Sequence, residues 1–274
     1  MPRVSIVLPT WNRLQYLDAT IASVLAQSFE DWELLIADDG SGPELRAALQ
    51  ELSADTRIRV LWLAHSGNPP AVRNAALACA SGAYVAFIDS DDVWMADKLE
   101  RQLAALRAAP GRRWSYTGFT LIDGSGAVLE HPLAQVRARD AGAGTLAALL
   151  AGEALVTQSS VLVERSFLEE ARGYDTAFPI CGDYELWLRL ARGSAAAIVA
   201  DTLVQVRRHR DHYSDDVAAC RDFLGVLTKT SRMGVPRPLR GVLRRRRARA
   251  AATLARSCAR RLARQLLRRR GTAP

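Results

Sequence analysis

The chain turns from apolar to acidic within eleven residues, Tyr84-Val85-Ala86-Phe87-Ile88-Asp89-Ser90-Asp91-Asp92-Val93-Trp94. The first half of this run is β-branched and aromatic, which predicts a strand buried on both faces. Strands of that kind occur in parallel sheets whose two faces are covered by helices. The run therefore predicts an interior strand of an α/β sheet.

Three carboxylates in four positions end this strand, at Asp89, Asp91 and Asp92. Neighbouring carboxylates repel and raise one another's pKa unless a cation or hydrogen-bond donors compensate them. Mg²⁺ and Mn²⁺ prefer oxygen ligands, and Mg²⁺ commonly combines carboxylates with substrate phosphates. One interpretation is a metal–diphosphate site at the carboxyl end of the strand, where open α/β sheets bind ligands. The other is a polar turn in which Asp92 caps the next helix.

Strand and helix patterns alternate ahead of this run, with strands predicted at residues 4–8, 32–37 and 58–63 and the first ended by Pro9. This alternation is typical of a parallel sheet with covering helices. No G-x-G-x-x-G follows the first strand and no G-x-x-x-x-G-K-[ST] occurs, which disfavours dinucleotide folds and P-loop NTPases. The second half mixes strands and helices, with closing strands predicted at residues 196–199 and 203–207.

The composition indicates the cellular compartment in which the protein works. No run reaches the ~18 apolar residues of a membrane span, and Met-Pro-Arg leads directly into a strand, so we expect no signal peptide. The cysteines Cys79, Cys181, Cys220 and Cys258 are far apart, which argues against a zinc site or a disulfide framework. We therefore expect a reducing, cytoplasmic location.

Charge divides the chain into two parts. Residues 1–222 carry 21 Lys and Arg against 29 Asp and Glu, whereas residues 223–274 carry 16 Lys and Arg and no acidic residue. We predict an acidic domain over 1–222 and an Arg-rich helical tail over 223–274 that has an anionic partner. An anionic membrane surface, reached through residues 236–274, is favoured over nucleic acid because no aromatic residues interleave with the arginines. A solvated tail is the third interpretation.

Five segments along residues 3–215 resemble glycosyltransferase family 2, the inverting group with the GT-A fold. They read VSIVLPTWNR at 4–13, WELLIADDGS at 32–41, RNAA at 73–76 leading to FIDSDD at 87–92, GYD at 173–175 with GDYELWLRL at 182–190, and RRH at 207–209. The resemblance implies a Rossmann-like mixed, mostly parallel sheet flanked by helices. It also implies a metal-dependent enzyme that moves a sugar from a nucleotide-diphosphate donor to a hydroxyl acceptor.

For the nucleotide, the resemblance implies contacts from the loop after the first strand, from the second strand's end and from the region around the acidic run. These residues are Pro9, Thr10, Trp11, Asn12, Asp39, Arg73 and Asp89. Trp11 offers an aromatic face, Asp39 can accept the imino N–H of a uracil or thymine, and Asp89 would touch the ribose. The alternatives are plain packing for Trp11, a surface position for Arg73, and a loop-bonding role for the neighbouring Asp38.

For the metal and the diphosphate, the resemblance implies Asp91 and His209 as ligands of Mn²⁺ or Mg²⁺, and Arg207 and Arg208 as phosphate contacts. For His209, a surface position without a metal is an equally good interpretation. Such a metal acts as a Lewis acid on the departing diphosphate. We expect Asp92 to cap the following turn.

The resemblance places the general base at Asp183, which begins a predicted helix over 183–191. The alternative is an ordinary N-cap aspartate, and a helix N-terminus would also weaken a carboxylate as a base. The family usually has Glu-Asp at this point, whereas this chain has Gly182 before Asp183. The missing Glu puts the rate or the acceptor choice in question.

Together these features predict an inverting glycosyltransferase of cell-surface polysaccharide or glycolipid synthesis. We expect it in the cytoplasm, peripheral on the inner face of the membrane. One alternative is a catalytically weak nucleotide-sugar or membrane-surface binding module, which Gly182 suggests. The other, a sugar nucleotidyltransferase, would need a Gly-rich basic loop where Pro9-Thr10-Trp11-Asn12 stands.

Overall fold

The structure, a computed structural model, describes residues 2–52, 55–129, 144–208 and 216–270. The strands are β1 (Val4–Thr10), β2 (Trp32–Asp38), β3 (Ile58–Trp62), β4 (Tyr84–Phe87), β5 (Val93–Trp94), β6 (Trp114–Ile122), β7 (Val161–Glu164) and β8 (Ala197–Arg207). The helices are α1 (Leu14–Leu25), α2 (Pro43–Leu52), α3 (Pro69–Leu77), α4 (Lys98–Ala108), α5 (Gly144–Ala151), α6 (Arg165–Glu170), α7 (Gly182–Gly193), α8 (Asp216–Arg232) and α9 (Arg240–Arg270).

The strands form one mixed sheet in the order β3-β2-β1-β4-β7-β6-β8-β5. The four strands at one end, β3, β2, β1 and β4, run parallel. Strand β7 runs antiparallel to both β4 and β6, β8 runs parallel to β6, and β5 closes the other end antiparallel to β8. The predicted α/β class and the mixed, mostly parallel sheet are confirmed.

The first strand does not end at Pro9, as the sequence suggested, but continues through it to Thr10, with Pro9 opposite Ala37 of β2. Successive residues of a strand direct their backbone groups to opposite neighbours. The Val7 carbonyl accepts from Ile88 N on the β4 side, so Pro9 faces that side too. Strand β4 ends at Phe87, so no ladder bond is lost at the proline.

The two closing strands predicted at 196–199 and 203–207 are one irregular strand, β8. The pairing with β6 shifts between Thr117 and Gly118: Thr117 lies opposite Val199, whereas Gly118 lies opposite Thr202. A Cβ on Gly118 would lie 3.0 Å from the Asp201 carbonyl oxygen. The two extra residues of β8, Ala200 and Asp201, form a bulge that packs against Gly118, where a larger side chain would not fit, and the strand continues after the bulge.

Two apolar clusters cover the two faces of the sheet. Along β1, Val7 belongs to the first cluster, and Ile6 and Leu8 belong to the second. Trp187 of α7 is fully buried in the first cluster, while α1 and α4 pack on the second. This alternation follows from the two-residue period of a strand, and it fixes α7 against the sheet.

Helix α8, of which only residues 223–232 fall within the predicted helical tail, and the first half of α9 pack against the first cluster, with Leu243 and Ala250 buried. Arg246 donates from Nη1 to the carbonyl oxygens of Leu149 and Leu150 at the end of α5, at 2.6 and 2.8 Å. Side chains at residues 251–261 are exposed or half-buried. Helix α9 is continuous from Arg240 to Arg270. The division into a domain over 1–222 and an Arg-rich helical tail over 223–274 stays a prediction.

Among the helices described, none combines the length and the hydropathy needed to cross a membrane.

Candidate active site

The carboxyl ends of β1, β2 and β4 meet at one edge of the sheet, because these strands are parallel. The predicted site residues follow these strand ends: Trp11 follows β1, Asp39 follows β2, and the acidic run follows β4. The first turn of α7 brings Asp183 within electrostatic range of Asp89. Residues more than 170 positions apart in sequence are therefore gathered at one edge.

Asn12 and Asp38 shape the loop after β2. Asn12 has a φ of 50°; its backbone N–H donates to Ser41 Oγ, and its Oδ1 accepts from the Gly42 N–H, both at 2.9 Å. Both carboxylate oxygens of Asp38 accept from the Ser41 N–H, at 3.3 and 3.2 Å. The interpretation of Asp38 as a loop-bonding residue is confirmed, and Asn12 serves the same loop.

Asp39 holds a second loop in place. Its Oδ1 accepts from the Ser66 N–H and Oγ, at 2.8 and 2.9 Å, and its Oδ2 accepts from the Gly67 N–H at 3.0 Å. His65 Nδ1 lies 3.1 Å from Asp39 Oδ2, and the His65 ring stacks on Trp11 with centroids 4.5 Å apart. Trp11 is 47% exposed, so it is not a core residue. The sequence alone placed His65 in a loop and gave it no role in the site, since a lone histidine carries no spacing signal.

Asp89 and Asp91 each face an arginine. Arg73 Nη2 lies 2.6 Å from Asp89 Oδ1, and Arg13 Nη1 lies 3.0 Å from Asp91 Oδ2. The Arg73 side chain is only 12% exposed and lies beside the ring of Tyr174, so it is not a surface arginine. The two pairs compensate the charge that the acidic run concentrates at this edge.

Asp92 is not a helix cap, and that expectation was wrong. Helix α4 begins only at Lys98. Asp92 is buried, its Oδ2 accepts from Ser159 Oγ at 2.5 Å, and its Oδ1 accepts from the Arg207 N–H at 3.0 Å. Burial, reinforced by the charges of Asp89 and Asp91, raises the pKa of Asp92 well above its usual value. Asp92 therefore joins the acidic run to the chain around Ser159 and to the end of β8.

Ser159 is the site residue that the sequence did not reveal. Its Oγ donates to Asp92 and also accepts from the Asp89 N–H at 3.0 Å. Its carbonyl oxygen accepts from Trp94 Nε1 at 2.9 Å. Ser159 lies in the 3-10 turn Gln158–Ser160 before β7. The sequence there reads as the start of a strand, and only the pairing of β7 with β4 brings it to the acidic run.

The buried side chains of Gln102 and Lys98 hold the turn that carries Ser159 in place. Gln102 donates from Nε2 to the Ser160 carbonyl oxygen at 2.9 Å, and its Oε1 accepts from Lys98 Nζ at 2.7 Å. Lys98 is fully buried, with Nζ 4.0 Å from the centroid of the Trp94 ring. Burial lowers the pKa of Lys98 well below its usual value. Fixed donors of this kind limit the movement of the turn that carries Ser159.

Asp183 lies in the first turn of α7, one residue after Gly182; Cys181 occupies the cap position, so Asp183 is not the N-cap. Its Oδ1 accepts from the Tyr184 N–H at 2.6 Å. Burial raises the pKa of Asp183 to about 6, and nearby Asp89 adds to the rise, while the Tyr184 N–H bond and the charge of Arg73 oppose it. The weakening effect expected from the helix N-terminus is therefore outweighed by dehydration of the carboxylate.

Arg207 is engaged by the backbone. It is buried, its Nε donates to the Asp91 carbonyl oxygen at 3.0 Å, and its Nη1 donates to the carbonyl oxygens of Asp123 and Gly124 at 3.0 and 3.3 Å. Arg208 is exposed. His209 lies outside the described residues. Arg207 thus links the acidic run to the turn after β6.

The donor set at this edge suits a divalent cation that shares its ligands with a diphosphate. Asp91 offers a hard carboxylate oxygen, which is the ligand type that Mg²⁺ and Mn²⁺ prefer. Over the described ranges, no three His, Cys, Asp or Glu side chains form a group that could hold a metal by themselves. A cation here would complete its coordination with phosphate oxygens and water, as Mg²⁺ does at phosphate-transfer sites.

Gly182 stands where a side chain has no room, because a Cβ there would lie 2.8 Å from Cγ of Pro70. Pro70 belongs to the first turn of α3, and its ring cannot swing away. We expect Gly182→Ala to lower the free energy of unfolding by about 1–3 kcal/mol through overpacking, measured by urea denaturation. The Glu that the resemblance leads one to expect is therefore excluded by its neighbour.

Gly241→Ala is the matched control, since the nearest atom to its Cβ would be Arg245 Nη1 at 3.6 Å. We expect that change to be neutral or stabilising by about 0.5–1 kcal/mol. Pro70→Ala should restore stability to Gly182→Ala. Equal stability of Gly182→Ala and the unchanged protein would show that the contact with Pro70 is not limiting.

Comparison with known proteins agrees with this architecture. Residues 5–114 match the family model of glycosyl transferase family 2. The chain is 41% identical over 130 residues to TuaG of Bacillus subtilis, a glycosyltransferase assigned to teichuronic acid biosynthesis, which covers 47% of this chain and 51% of that protein. It is 43% identical over 103 residues to the Escherichia coli UDP-Glc:alpha-D-GlcNAc-diphosphoundecaprenol beta-1,3-glucosyltransferase WfgD, covering 38% of this chain and 40% of that protein. The matched part is about half the length of these relatives or less.

Solved structures extend the likeness to nearly the whole chain. TarS of S. aureus, residues 1-349 in complex with UDP, superposes with a TM-score of 0.68 at 16% identity, covering 95% of this chain and 72% of that one. The mannosyltransferase PcManGT of Pyrobaculum calidifontis, in complex with GDP-Man and Mn²⁺, gives a TM-score of 0.67 at 16% identity, covering 94% and 75%. At this identity the likeness establishes the fold. Residues 5–114 are thus similar to glycosyl transferase family 2, and the sheet of this chain has the GT-A fold of the solved glycosyltransferases.

Proposed function

We propose that this protein is a metal-dependent, inverting glycosyltransferase that moves a sugar from a nucleotide-diphosphate donor to a hydroxyl acceptor. The observation that carries the proposal is the position of Asp183, whose pKa is raised to about 6 and which is close to the Arg73–Asp89 ion pair. A carboxyl group with a pKa near the working pH suits general-base chemistry, and this one lies beside the acidic run that would receive the donor.

The donor would occupy the edge formed by the loops after β1 and β2. The exposed ring of Trp11, already stacked on His65, would take the base, with Thr10 and Asp39 at its polar edge. Pro9 and Asn12 would hold the shape of that loop. Arg73 and Asp89 would contact the ribose or the first phosphate. Support comes from the likeness in fold to TarS, which is solved with UDP and with UDP-GlcNAc.

The metal, Mn²⁺ or Mg²⁺, would be held by Asp91 and phosphate oxygens, with His209 as the further ligand implied by the family resemblance. When bound it supplies positive charge that stabilises the departing diphosphate. PcManGT, which has this fold, is solved with Mn²⁺. Arg208 would add a phosphate contact. Arg207 would mainly hold the site together, since its Nε and Nη1 already donate to carbonyl oxygens.

In the reaction, the acceptor hydroxyl would attack the anomeric carbon of the donor. Asp183 would accept the hydroxyl proton as the new C–O bond forms, and the bond to the diphosphate would break with its electron pair leaving on the phosphate oxygen. One displacement of this kind inverts the anomeric centre. Arg73, close to both Asp89 and Asp183, would keep the base near the reacting atoms.

The relatives favour a glycan or lipid-linked acceptor in cell-surface polysaccharide synthesis. WfgD is named for a diphosphoundecaprenol acceptor and TuaG for teichuronic acid biosynthesis. With such an acceptor, the enzyme would work at the cytoplasmic face of a membrane. A binding module without turnover is the competing proposal, favoured only by Gly182 in place of Glu.

A nucleotide screen tests the proposal directly. Thermal unfolding would be followed with UDP, GDP, dTDP, CDP and their sugars, each with and without Mn²⁺. We expect one nucleotide to raise the melting temperature, and more so with metal, because a ligand that binds only the folded state stabilises it. Release of that nucleotide with an acceptor panel would establish transfer. Binding without hydrolysis or transfer would favour the binding module.

The tail is proposed to bind an anionic membrane surface. Arg245, Arg249, Arg256 and Arg260 are exposed, and their spacing of four, seven and four residues puts them on one face of α9. Each basic residue near an anionic surface contributes about 1 kcal/mol. We expect replacement of all four by Gln to abolish flotation with phosphatidylserine vesicles.

The matched control replaces the same four arginines by Lys, which keeps the charge and should keep flotation. Neutral phosphatidylcholine vesicles should not bind either protein. Undiminished flotation of the Gln protein would show that these four arginines do not carry the membrane contact. Absence of flotation in the unchanged protein would overturn the membrane proposal and leave a solvated tail.

A further inference from the structure

Arg13 lies between β1 and α1, directly after the loop that carries Trp11. Its Nη1 is 3.0 Å from Asp91 Oδ2, and the two side chains are 26% and 11% exposed. The contact joins residues 78 positions apart. The Asp91 carboxylate is thus compensated by the charge of Arg13.

The three carboxylates of the run are compensated in different ways. Asp92 is enclosed, between Ser159 and the N–H of Arg207. Asp89 is held by Arg73, whose side chain is 12% exposed, whereas Arg13 is 26% exposed and is part of a loop. Arg13 is therefore the more exposed of the two arginines that pair with a carboxylate of the run.

A cation at Asp91 and the guanidinium of Arg13 exclude one another. Both are positive and both use the same carboxylate, so each weakens the other's hold on it. A diphosphate arriving with the cation would bring negative oxygens to the same edge. Guanidinium groups bind phosphate oxygens well, through two parallel N–H bonds.

We propose that Arg13 exchanges partners, lying against Asp91 in the empty protein and against the donor diphosphate in the loaded one. The proposal rests on the function proposed above. It makes Arg13 a binding residue that keeps Asp91 compensated until donor and cation arrive together. Cation and diphosphate then favour one another's binding, and this coupling is the same whichever is added first.

The test measures Mn²⁺ binding to the full chain from the electron paramagnetic resonance signal of free Mn²⁺, with and without UDP. If the screen identifies another nucleotide, its diphosphate replaces UDP. The proteins are the unchanged chain, Arg13→Gln, Arg13→Lys, Asp91→Asn and Arg101→Gln. Arg101 is the matched control because it is a half-exposed arginine that also pairs with carboxylates, Asp97 and Asp201.

Without nucleotide, we expect Arg13→Gln to bind Mn²⁺ about tenfold more tightly than the unchanged chain, because one competing charge next to a carboxylate changes its affinity for a cation by about that factor. With Mn²⁺ present, the same variant should bind UDP more weakly. The coupling between Mn²⁺ and UDP should therefore fall, and a merely structural role for Arg13 would not move the two affinities in opposite directions. Arg13→Lys should lie between, and Arg101→Gln should match the unchanged chain.

Two outcomes would overturn the exchange, and they differ in what else they overturn. If Mn²⁺ and UDP bind in a manner lost in Asp91→Asn, but Arg13→Gln matches the unchanged chain, the exchange fails and the proposed function stands. If no protein binds Mn²⁺ even with a nucleotide diphosphate, the metal-dependent function fails and the exchange fails with it.

Discussion

Asp183→Asn is expected to lower the rate of sugar transfer by about 10²–10⁴-fold, the usual contribution of a general base. The amide keeps the size of the side chain and can still accept from the Tyr184 N–H, but it cannot take up a proton. Donor affinity, measured by thermal shift or calorimetry, should change little, because the base acts on the acceptor. Single-turnover transfer with saturating donor is the decisive measurement.

The pH dependence provides a second readout of Asp183. The base works only when ionised, and burial raises its pKa to about 6. The rate should therefore be constant above that pH and fall about tenfold per unit below it. The residual rate of Asp183→Asn should lack this limb. Arg73, Asp89, Tyr174, Cys181 and the Tyr184 N–H interact with Asp183, and among these groups only Asp89 is a carboxyl group.

Asp201→Asn is the control for this experiment. Asp201 lies on β8, its side chain is 57% exposed, and it pairs with Arg101 of α4. It should keep the full rate and the acid limb. A near-normal rate for Asp183→Asn would reject Asp183 as the base. Loss of donor binding in that variant would instead indicate a structural role for the first turn of α7.

Asp91→Ala is expected to reduce transfer by about 10³-fold or more, since metal stabilisation of a leaving group is worth several kcal/mol. Arg13 would then face the diphosphate without the cation that Asp91 is proposed to hold. Thermal shifts with nucleotide should lose their dependence on Mn²⁺. Transfer rates measured over a wide range of Mn²⁺ concentration should not recover.

Asp97→Asn is the control for Asp91, because Asp97 lies a few residues further along the chain and forms an exposed pair with Arg101. It should keep both the rate and the metal response. An Asp91→Ala protein that still shows a Mn²⁺-dependent thermal shift with nucleotide would place the metal on other ligands.

Much of the fold was predictable because its signals are local. The apolar strands and the helix predicted over 183–191, observed as α7 (Gly182–Gly193), each depend on residues near one another in sequence. The first turns of α8, before residue 223, and the two-residue strand β5 were missed. Strand β5 exists only through its pairing with β8.

Local signals failed where distant segments meet. Pro9 reads as a strand end, yet β1 continues through it because β4 stops before reaching it. Asp92 reads as a cap, yet it bonds Ser159 and Arg207, which lie 67 and 115 positions away. Sequence spacing does not identify Ser159 or Arg207 as partners of Asp92, because the order of the strands in the sheet is what brings them together.

The sequence alone determined that an α/β sheet ends in an acidic run at its ligand-binding edge. Both features are formed by consecutive residues, namely an apolar run followed by clustered carboxylates. Only the tertiary structure decided which cation or donor each carboxylate faces: Arg73 for Asp89, Arg13 for Asp91, and Ser159 for Asp92. It likewise decided that Pro70 leaves room for nothing larger than Gly182. The reason is physical: periodicity fixes which face of an element is buried, whereas the partner of a polar side chain depends on how separate elements pack.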